Sequence, residues 1–422
     1  MIDNLTRFKN LLILFFPLSI VIGPVVSEGT IILICIIFLI ITYKNNLWKK
    51  YYANTFFIFF WIWCTYLIIR SSVSFDPILS LKSSLFYFRF GIFSLAIWHL
   101  LEEESKFKNL FFWSYAFIFL FVIFDSYLQY FTGYDLFGFY YDQTKGLIRL
   151  SGPFDNRLAL GIYLSRMFPL LIALFALNYS QKKYFNISFI ILSILTGGII
   201  FLSGERTAFG YFIVIMFLVF IFIKKLRKLG VIVFISSLLI ISLIVTLDKN
   251  IKFRMFEQTL QQIQSDDGKL HFISETHQSF LVTSISIFKD NKFFGIGNKL
   301  YRKACLDERY VYKDSCSTHP HNYYLQLLSE TGLIGTIPIV LIFLLANLNL
   351  IKLNFLKKDS NENFNLNMEY QQKLINYKSL LLIALIINLW PFFPSLGFFN
   401  NWSSAMMFLP VGFIIHSFSR KL

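Results

Sequence analysis

Charged residues and cysteines are scarce in this chain of 422 residues. Asp, Glu, Lys and Arg together make up 15% of it, whereas 56% is hydrophobic and the mean hydropathy is +0.60. Soluble domains carry about 25% charged residues, so the composition excludes a disordered chain, a coiled coil and an ordinary cytosolic enzyme. The four cysteines form no CxxC pattern, which excludes the common zinc motifs. The composition instead indicates an all-α integral membrane protein.

Acidic residues are fewer than basic ones, 24 against 39, and the formal net charge is +15. In a membrane protein the positions of Lys and Arg matter more than their sum, because these residues mark the cytoplasmic loops. Topology accounts for the basic residues of this chain in that way, so nucleic-acid binding is not indicated.

Long apolar runs fill most of the chain. A membrane-spanning helix needs about 20 mainly apolar residues, and twelve runs approach that length. They predict about twelve transmembrane helices in a single polytopic domain, residues 1–422. The predicted spans are 10–27, 29–43, 53–70, 84–101, 109–130, 158–178, 184–203, 208–223, 229–247, 332–354, 378–396 and 402–418.

Basic clusters in short loops follow every second predicted span. This alternation predicts a multi-pass protein with both termini in the cytoplasm. The clusters precede the first span, follow the second, fourth, sixth, eighth and tenth spans, and end the chain: Arg7 and Lys9; Lys44, Lys49 and Lys50; Lys106 and Lys108; Lys182 and Lys183; Lys224, Lys225, Arg227 and Lys228; Lys352, Lys357, Lys358 and Lys373; Arg420 and Lys421.

Two longer segments lie on the other, outer side, at residues 131–157 and 248–331. The second has about 84 residues, which is too long for a connector and predicts a functional cap. Apolar residues at helical spacing predict helices within it, at Lys252–Gln264 and Phe280–Phe288. The polar residues 355–377 predict a flexible cytoplasmic linker.

The stretch CSTHPHNYYLQLLSETGLIG, residues 316–335, carries the residues best suited to chemistry. Ser317 or Thr318 is a suitable helix cap, and Pro320 suits a first helical turn. This places His321 and Asn322 near a helix N-terminus, where the helix dipole disfavours an imidazolium. A neutral His321 can then accept a proton near pH 7. The alternative is a pair of surface histidines, His319 and His321, in a loop.

The same stretch resembles the O-antigen ligase and polymerase superfamily of bacterial envelope enzymes. In that family a His-Asn pair precedes a glycine at the start of a late span, as His321-Asn322 precede Gly332 with nine residues between. The upstream run FKDNKFFGIGNKLYRKAC and the stretch RLSGPFDNRLALGIYL at 149–164 are also similar to segments of the family. The resemblance extends from about residue 120 to about residue 400.

The resemblance implies a metal-independent glycosyltransferase without a cofactor, acting at the periplasmic face of the bacterial inner membrane. The donor would be a glycan on undecaprenyl pyrophosphate. The acceptor would be lipid A–core for a ligase of lipopolysaccharide biosynthesis, or another lipid-linked glycan for a polysaccharide polymerase. We rank ligase first, polymerase second and protein O-oligosaccharyltransferase third. The loop 248–331 would then be periplasmic, with His321 as the catalytic base.

Such a transfer needs cations at the leaving pyrophosphate. Without a metal, arginines must hold it, because the guanidinium fork matches phosphate oxygens. Arg206 lies at the outer end of the seventh span and matches a family arginine in position; otherwise it pairs with Glu205 or anchors the span. Arg254 opens the large loop, either as a second pyrophosphate ligand or as a solvated charge.

Other candidates have weaker signals. Arg89 is predicted inside the fourth span, as a site residue or as a snorkelling or helix-pairing residue. Either Arg149 or Arg157, which flank the SGPFDN turn, is expected to face the site. His277 stands where ligase-type members tend to carry a basic residue, and this departure leaves the choice between ligase and polymerase open. Asn322 is predicted to orient His321 or an acceptor hydroxyl.

Further side chains have two interpretations. Asp125 and Gln129 are suited to bind sugar hydroxyls, and Asp125 is alternatively a buried, hydrogen-bonded interhelical residue. If the outer side is an oxidising compartment, Cys305 and Cys316 would form a disulfide; otherwise they are free thiols.

Two rival functions remain at this point. A metal site could use His319, His321 and either His277 or His271, but no Asp/Glu cluster or HExxH motif accompanies them. A transporter or lipid flippase would fit twelve spans, yet it should carry ionisable residues at the membrane midplane. Here they gather at the outer ends of the spans and in one loop.

Overall fold

Helices make up nearly all the regular structure of the computed structural model, which describes residues 2–141, 149–155, 157–264, 274–356 and 368–419. In chain order the helices are α1 (Ile2–Ile22), α2 (Pro24–Lys44), α3 (Trp48–Tyr52), α4 (Thr55–Ser72), α5 (Pro77–Ser84), α6 (Arg89–Glu103), α7 (Phe107–Thr132), α8 (Leu160–Tyr179), α9 (Phe185–Leu202), α10 (Arg206–Phe222), α11 (Arg227–Leu247), α12 (Lys249–Lys252), α13 (Gln258–Ile263), α14 (Glu275–Asp290), α15 (Tyr301–Ala304), α16 (Tyr323–Ile351), α17 (Met368–Asn388) and α18 (Asn401–Ser419).

Each of the twelve predicted spans coincides with a helix. Within the described ranges, ten helical stretches are long and apolar enough to cross a membrane. The predicted eighth span is α10, a shorter apolar helix of 17 residues. The predicted eleventh span is α17, whose first half is polar. The chain is an all-α, multi-pass integral membrane protein, as the composition predicts.

Burial separates the central helices from those at the periphery. Helix α8 is buried along almost its whole length, and it packs against α7, α9, α10 and α17. Helix α11 instead exposes most of its apolar side chains, among them Phe234, Leu239 and Leu243. A helix that is apolar all round and exposed in this way is suited to face lipid.

Several predicted boundaries are wrong where Gly or Pro interrupts an apolar run. The first two helices meet at Gly23, whose φ of 144° ends α1, and Pro24 opens α2. The predicted break near residue 28 is therefore five residues too late. The run 378–396 is helical only to Asn388, because Pro391 and Pro394 lack the N–H donors that a helix needs.

Helix α16 contains a break that the neighbouring loop fills. Gly332 has φ 61° and ψ −165°, and a Cβ there would lie 2.4 Å from the backbone of Phe293. Residues 292–297 pair with the freed backbone groups: Ile296 N donates to Ser329 O at 3.1 Å and Leu333 N to Lys292 O at 2.9 Å. The glycine predicted to start the tenth span is thus a break inside a longer helix that begins at Tyr323.

The large loop 248–331 is partly helical, as predicted. It contains α12, a π-helical turn at Phe253–Glu257, α13, α14 and α15. His271 lies outside the described residues. The predicted linker 355–377 is shorter than expected, since α17 begins at Met368.

The starts of α8 and α10 lie at one end of the bundle, together with the large loop. Glu205, just before α10, accepts a hydrogen bond from the backbone of Gly161 in the first turn of α8. At the other end Lys225, after α10, donates to the carbonyl of Ser180, after α8. The candidate site residues lie at the first of these two ends.

Candidate active site

The turn between α9 and α10 carries Glu205 and Arg206 as neighbours, and within the described residues the two side chains form no salt bridge. Gly204 takes a φ of 66°, which favours glycine. The Glu205 carboxylate accepts hydrogen bonds from the backbone N–H groups of Gly161 at 2.8 Å and Ile162 at 3.2 Å. Burial raises the pKa of Glu205 despite these bonds. Glu205 therefore caps α8 and does not neutralise Arg206.

Arg206 and Arg254 are held by neutral oxygen atoms. Arg206 donates to the Thr259 hydroxyl and to Gln262 Oε1 of α13, both at 2.8 Å. Arg254 donates to Gln258 Oε1 at 2.5 Å and to the Gly204 carbonyl at 3.4 Å. In the described part of the chain neither arginine forms a salt bridge.

Arg149 completes an arginine cluster with Arg206 and Arg254. Burial and the positive charges of Arg149 and Arg206 lower the pKa of Arg254 to about 10. Burial also lowers the pKa of Arg149, and the nearby Glu205 opposes this shift. The three guanidinium groups repel one another, and Glu205, whose carboxylate acts on Arg149, is already hydrogen-bonded. Such an excess of partly desolvated positive charge favours an anionic ligand with several oxygen atoms.

Arg157 does not join the cluster. Its Nε donates to the Phe154 carbonyl at 3.1 Å, and its Nη2 lies 3.4 Å from the Ile22 carbonyl. The guanidinium packs against Gly23 at the turn between α1 and α2. Of the two arginines that flank the SGPFDN turn, the structure therefore brings Arg149 to the cluster and ties Arg157 to the turn between α1 and α2.

Arg89 also lies apart from the cluster. It is the first residue of α6, inside the apolar helical stretch Pro77–Glu103. Its Nε forms a salt bridge with Glu28 of α2 at 2.5 Å, and its guanidinium covers the Phe90 ring at 4.3 Å. The helix-pairing interpretation describes these contacts, and a role of Arg89 in the site stays a prediction.

Three histidines meet beside the arginine cluster. The rings of His319 and His321 lie 4.3 Å apart, and those of His277 and His321 lie 6.5 Å apart. Burial and then the neighbouring His277 lower the pKa of His321, while burial and Arg206 lower that of His277. Both rings are therefore neutral near pH 7, and His321 is able to accept a proton.

His321 is held in an unusual backbone conformation. Its φ is 51°, a region that residues other than glycine rarely occupy. The ring packs on Phe280 at 5.0 Å, and Nε2 lies 3.2 Å from the Ser317 hydroxyl. The backbone carbonyl of His321 accepts a hydrogen bond from Ser395 N at 2.8 Å. Strain of this kind occurs often at functional sites.

His319 forms a hydrogen bond to the segment between α17 and α18. Its Nε2–H donates to the Ser395 carbonyl at 3.3 Å, and its Nδ1 lies 2.9 Å from the Thr318 hydroxyl. Burial, followed by the neighbouring His321, lowers its pKa to about 4. Since both ring nitrogens have partners, His319 supports the site and is poorly suited to be the base.

Asn322, and not Ser317 or Thr318, is the N-cap of α16. Its Oδ1 accepts from the backbone N–H groups of Tyr324 at 2.9 Å and Leu325 at 3.2 Å, and its Nδ2 donates to the Pro391 carbonyl at 2.8 Å. The predicted cap is wrong because Asn is an equally good cap and stands nearer the apolar run. Among the described contacts Asn322 has no hydrogen bond to His321, and the predicted role of Asn322 in orienting His321 or an acceptor hydroxyl stays a prediction.

Arg166 is a buried residue that the sequence analysis missed. It lies in α8 with 1% of its surface exposed, and its Nη1 donates to the Tyr323 hydroxyl at 2.7 Å and to Ser403 Oγ at 2.9 Å. The guanidinium also faces the Tyr211 ring at 5.6 Å. It thereby joins α8 and α18 to the first residue of α16. A lone arginine within an apolar run was the available signal.

Asp125 and Gln129 organise the first outer loop. Asp125 Oδ1 accepts from Leu136 N at 2.9 Å, and Gln129 Oε1 accepts from Gly152 N at 2.7 Å. Both side chains are buried and bind the backbone of the segment between α7 and α8 rather than another helix, and binding of sugar hydroxyls stays a prediction. In the same outer region Cys305 and Cys316 form a disulfide. The described residues contain no group of three or more His, Cys, Asp or Glu side chains that could hold a metal.

Residues 190–340 match a protein-family model described as O-antigen ligase. This part of the chain is similar to the O-antigen ligase family, which supports the resemblance that the sequence motifs indicate. The match covers less than half of the chain, but it includes Arg206, Arg254, His277 and His321. Members of this family are glycosyltransferase-like enzymes that act on lipid-linked glycans. No curated protein matches the sequence.

Proposed function

We propose that this protein is an O-antigen ligase that transfers a glycan from undecaprenyl pyrophosphate to lipid A–core. The observation that carries the proposal is the arginine cluster, which lacks a salt bridge to any described carboxylate and lies beside the neutral His277 and His321. Pyrophosphate is an anion of the size and charge that several guanidinium forks bind.

In this mechanism the arginine cluster binds the pyrophosphate and stabilises the charge that grows as the glycosidic bond breaks. The acceptor hydroxyl attacks the anomeric carbon, a new C–O bond forms, and the bond to phosphate breaks. Undecaprenyl pyrophosphate leaves with the electron pair. His321 accepts the hydroxyl proton and becomes an imidazolium, which later releases the proton to water. The cations of the protein supply the charge that a metal ion would otherwise supply.

The proposed orientation rests on charge. The lysine-rich loops lie at the end of the bundle away from the site, as the contact between Lys225 and Ser180 illustrates. Basic residues in short loops mark the cytoplasmic side. We therefore assign both termini to the cytoplasm and the site to the periplasmic face of the bacterial inner membrane.

Polymerisation of lipid-linked repeat units is the second candidate. It is favoured by His277, a neutral ring at a position where ligase-type relatives tend to carry a basic residue. Polymerase and ligase share the donor, the arginine cluster and the base, and they differ in the acceptor. Transfer to a protein ranks third.

The test is reconstitution of the purified protein with an undecaprenyl-pyrophosphate glycan in the presence of a chelator. One reaction contains lipid A–core and another contains additional lipid-linked glycan. Glycan joined to lipid A–core is the expected result, whereas a ladder of repeats on the polyprenyl carrier would establish the polymerase instead. His321→Ala should abolish product, and Arg309→Ala, in the same loop but paired with Asp307, should not.

Two results would contradict the proposal. Loss of activity on addition of the chelator, with recovery on addition of metal, would replace the metal-independent mechanism. If no product forms in either reaction and His321→Ala behaves like wild type in cells, flux of lipid-linked glycan into vesicles would be measured, and transport without a new bond would replace the enzyme.

A further inference from the structure

A second group of cations lies next to the histidines, outside the arginine cluster. Lys299 and Arg302 follow Gly297 in the segment that fills the break of α16. Arg302 donates from Nη2 to the Thr318 carbonyl at 3.3 Å, but its buried Nε has no partner. Lys299 is half-buried, and its ammonium donates to no described residue. A buried donor without a partner, such as the Arg302 Nε, is costly unless a ligand satisfies it.

The backbone at this point is also unusual. Lys299 has a φ of 59°, so its backbone shares with that of His321 a conformation that residues other than glycine rarely adopt. Its neighbour Asn298 is fully buried, and neither its amide nitrogen nor its oxygen has a partner. Strain and unsatisfied polar atoms in one short turn are typical of a binding site.

The nearby carboxylates are already occupied. Glu330 accepts hydrogen bonds from Tyr301 N at 3.2 Å and Gln326 Nε2 at 3.0 Å. Glu28 forms the salt bridge with Arg89. These two acids and Arg89 act electrostatically on Lys299, together with Arg302. Both carboxylates thus have these partners, and within the described residues neither forms a salt bridge with the side chain of Lys299 or Arg302.

Pairwise ring contacts and electrostatic influences connect both cationic groups to the three histidines. Arg206 influences the pKa of His277, and the His277 ring faces that of His321. The His321 ring faces His319, whose pKa is lowered in part by Arg302. His321 therefore contacts His277, which is near Arg206, and His319, which is near Arg302.

We propose that Lys299 and Arg302 bind a phosphate group of the acceptor, so that the protein selects a phosphate-bearing glycan. This inference rests on the proposed function. Direct displacement requires the attacking oxygen to lie across the anomeric carbon from the leaving group. With the donor pyrophosphate at the arginine cluster and the acceptor phosphate at Lys299 and Arg302, the acceptor hydroxyl lies beside His321.

Two sources supply this chemistry. Lipid A–core presents phosphate on its sugars, and a second lipid-linked glycan presents its pyrophosphate. Each source has a matched acceptor without phosphate: lipid A–core treated with phosphatase, and the same glycan on a polyprenyl alcohol. Whichever source is used, the phosphate-bearing member of the pair is the better substrate.

The experiment measures transfer to both members of each pair by the full-length protein and by Lys299→Gln/Arg302→Gln. The KM for the phosphate-bearing acceptor should rise roughly 10- to 100-fold, as expected for lost charge-assisted hydrogen bonds. The KM for the donor should stay unchanged, which also establishes that the variant is folded. Lys303→Gln is the matched control, because Lys303 lies in the same segment and pairs with Asp76 at 2.5 Å.

Equal KM values for acceptors with and without phosphate in the wild type would overturn the inference while the transferase remained. An equal loss of donor and acceptor affinity in the double variant would also overturn it. Absence of transfer by the wild type to every acceptor would instead contradict the proposed function. The two failures are thus distinguishable.

Discussion

The arginine cluster and the Glu28–Arg89 pair lie at the ends of apolar helices but differ in what surrounds the charge. Arg89 has a carboxylate at 2.5 Å and an aromatic ring beneath it. Arg206 and Arg254 have only neutral acceptors, and each lies near another arginine. An arginine at a span end is therefore a functional candidate when its charge is left without a partner, and a structural one when it has a partner.

The largest effect on activity is expected for the unpaired arginines. Arg206→Ala should lower kcat/KM by about 100- to 1,000-fold, as expected for a lost group that stabilises a developing anion. Arg206→Lys should fail as well, because an ammonium cannot reproduce the guanidinium fork. Steady-state transfer assays on protein of normal membrane insertion measure both. Full activity of Arg206→Lys would make Arg206 a simple anchor.

Breaking the Glu28–Arg89 pair should lower stability, whereas substitutions in the arginine cluster should lower activity. Arg89→Gln leaves Glu28 largely buried without its partner and should lower the free energy of unfolding by about 3 kcal/mol. The double variant Glu28→Gln/Arg89→Gln should recover most of this loss and retain transfer. Thermal unfolding in detergent together with the transfer assay separates the two quantities. If the stable double variant were inactive, the comparison between the two regions would be wrong.

Arg149 and Arg157 should differ in their effect on kcat/KM, although by less than the effect expected for Arg206. Arg149→Gln should lower kcat/KM about tenfold, since it removes one charge from the cluster. Arg157→Gln should change it little, because that side chain binds backbone carbonyls near Gly23. The measurement compares kcat/KM of the two variants. A larger loss for Arg157→Gln would mean that Arg157, and not Arg149, serves the site.

The smallest effect is a shift in pH dependence. Burial and His277 lower the pKa of His321, so kcat/KM should fall on acidification only below the ordinary histidine value of about 6.5. His277→Gln removes one cause of the lowering and should move this acidic limb to higher pH. A pH–rate profile of the wild type and of His277→Gln tests the direction of this shift. An unchanged limb would mean that another group titrates.

The approximate positions of the apolar helices were predictable because each span needs a long apolar run, whereas the short helices and the boundaries at Gly or Pro were not. The position of Arg206 and Arg254 was also predictable, since both flank such runs. The partner of Arg89 was not, because Glu28 lies far away in sequence and nothing local indicates the salt bridge. Ser317, Thr318 and Asn322 all have the chemistry of a helix cap, so only the structure identifies which one is used.

Arg166 in α8 shows that a charge inside a predicted span is itself a sequence signal. Arg166 lies within an apolar run and was overlooked, although a charge there is expensive. Its partners come from α16 and α18, at Tyr323 and Ser403, and such long-range contacts have no local pattern. Buried charges inside predicted spans are therefore worth examining before charges in loops.

Direct binding of undecaprenyl pyrophosphate tests the central claim that the arginine cluster holds the donor. The measurement compares wild type, Arg206→Gln/Arg254→Gln and Glu28→Gln/Arg89→Gln, each purified and folded. The affinity should fall at least tenfold in the first variant and stay at the wild-type value in the second. Equal affinity in all three proteins, or a loss confined to the Glu28–Arg89 variant, would contradict the account.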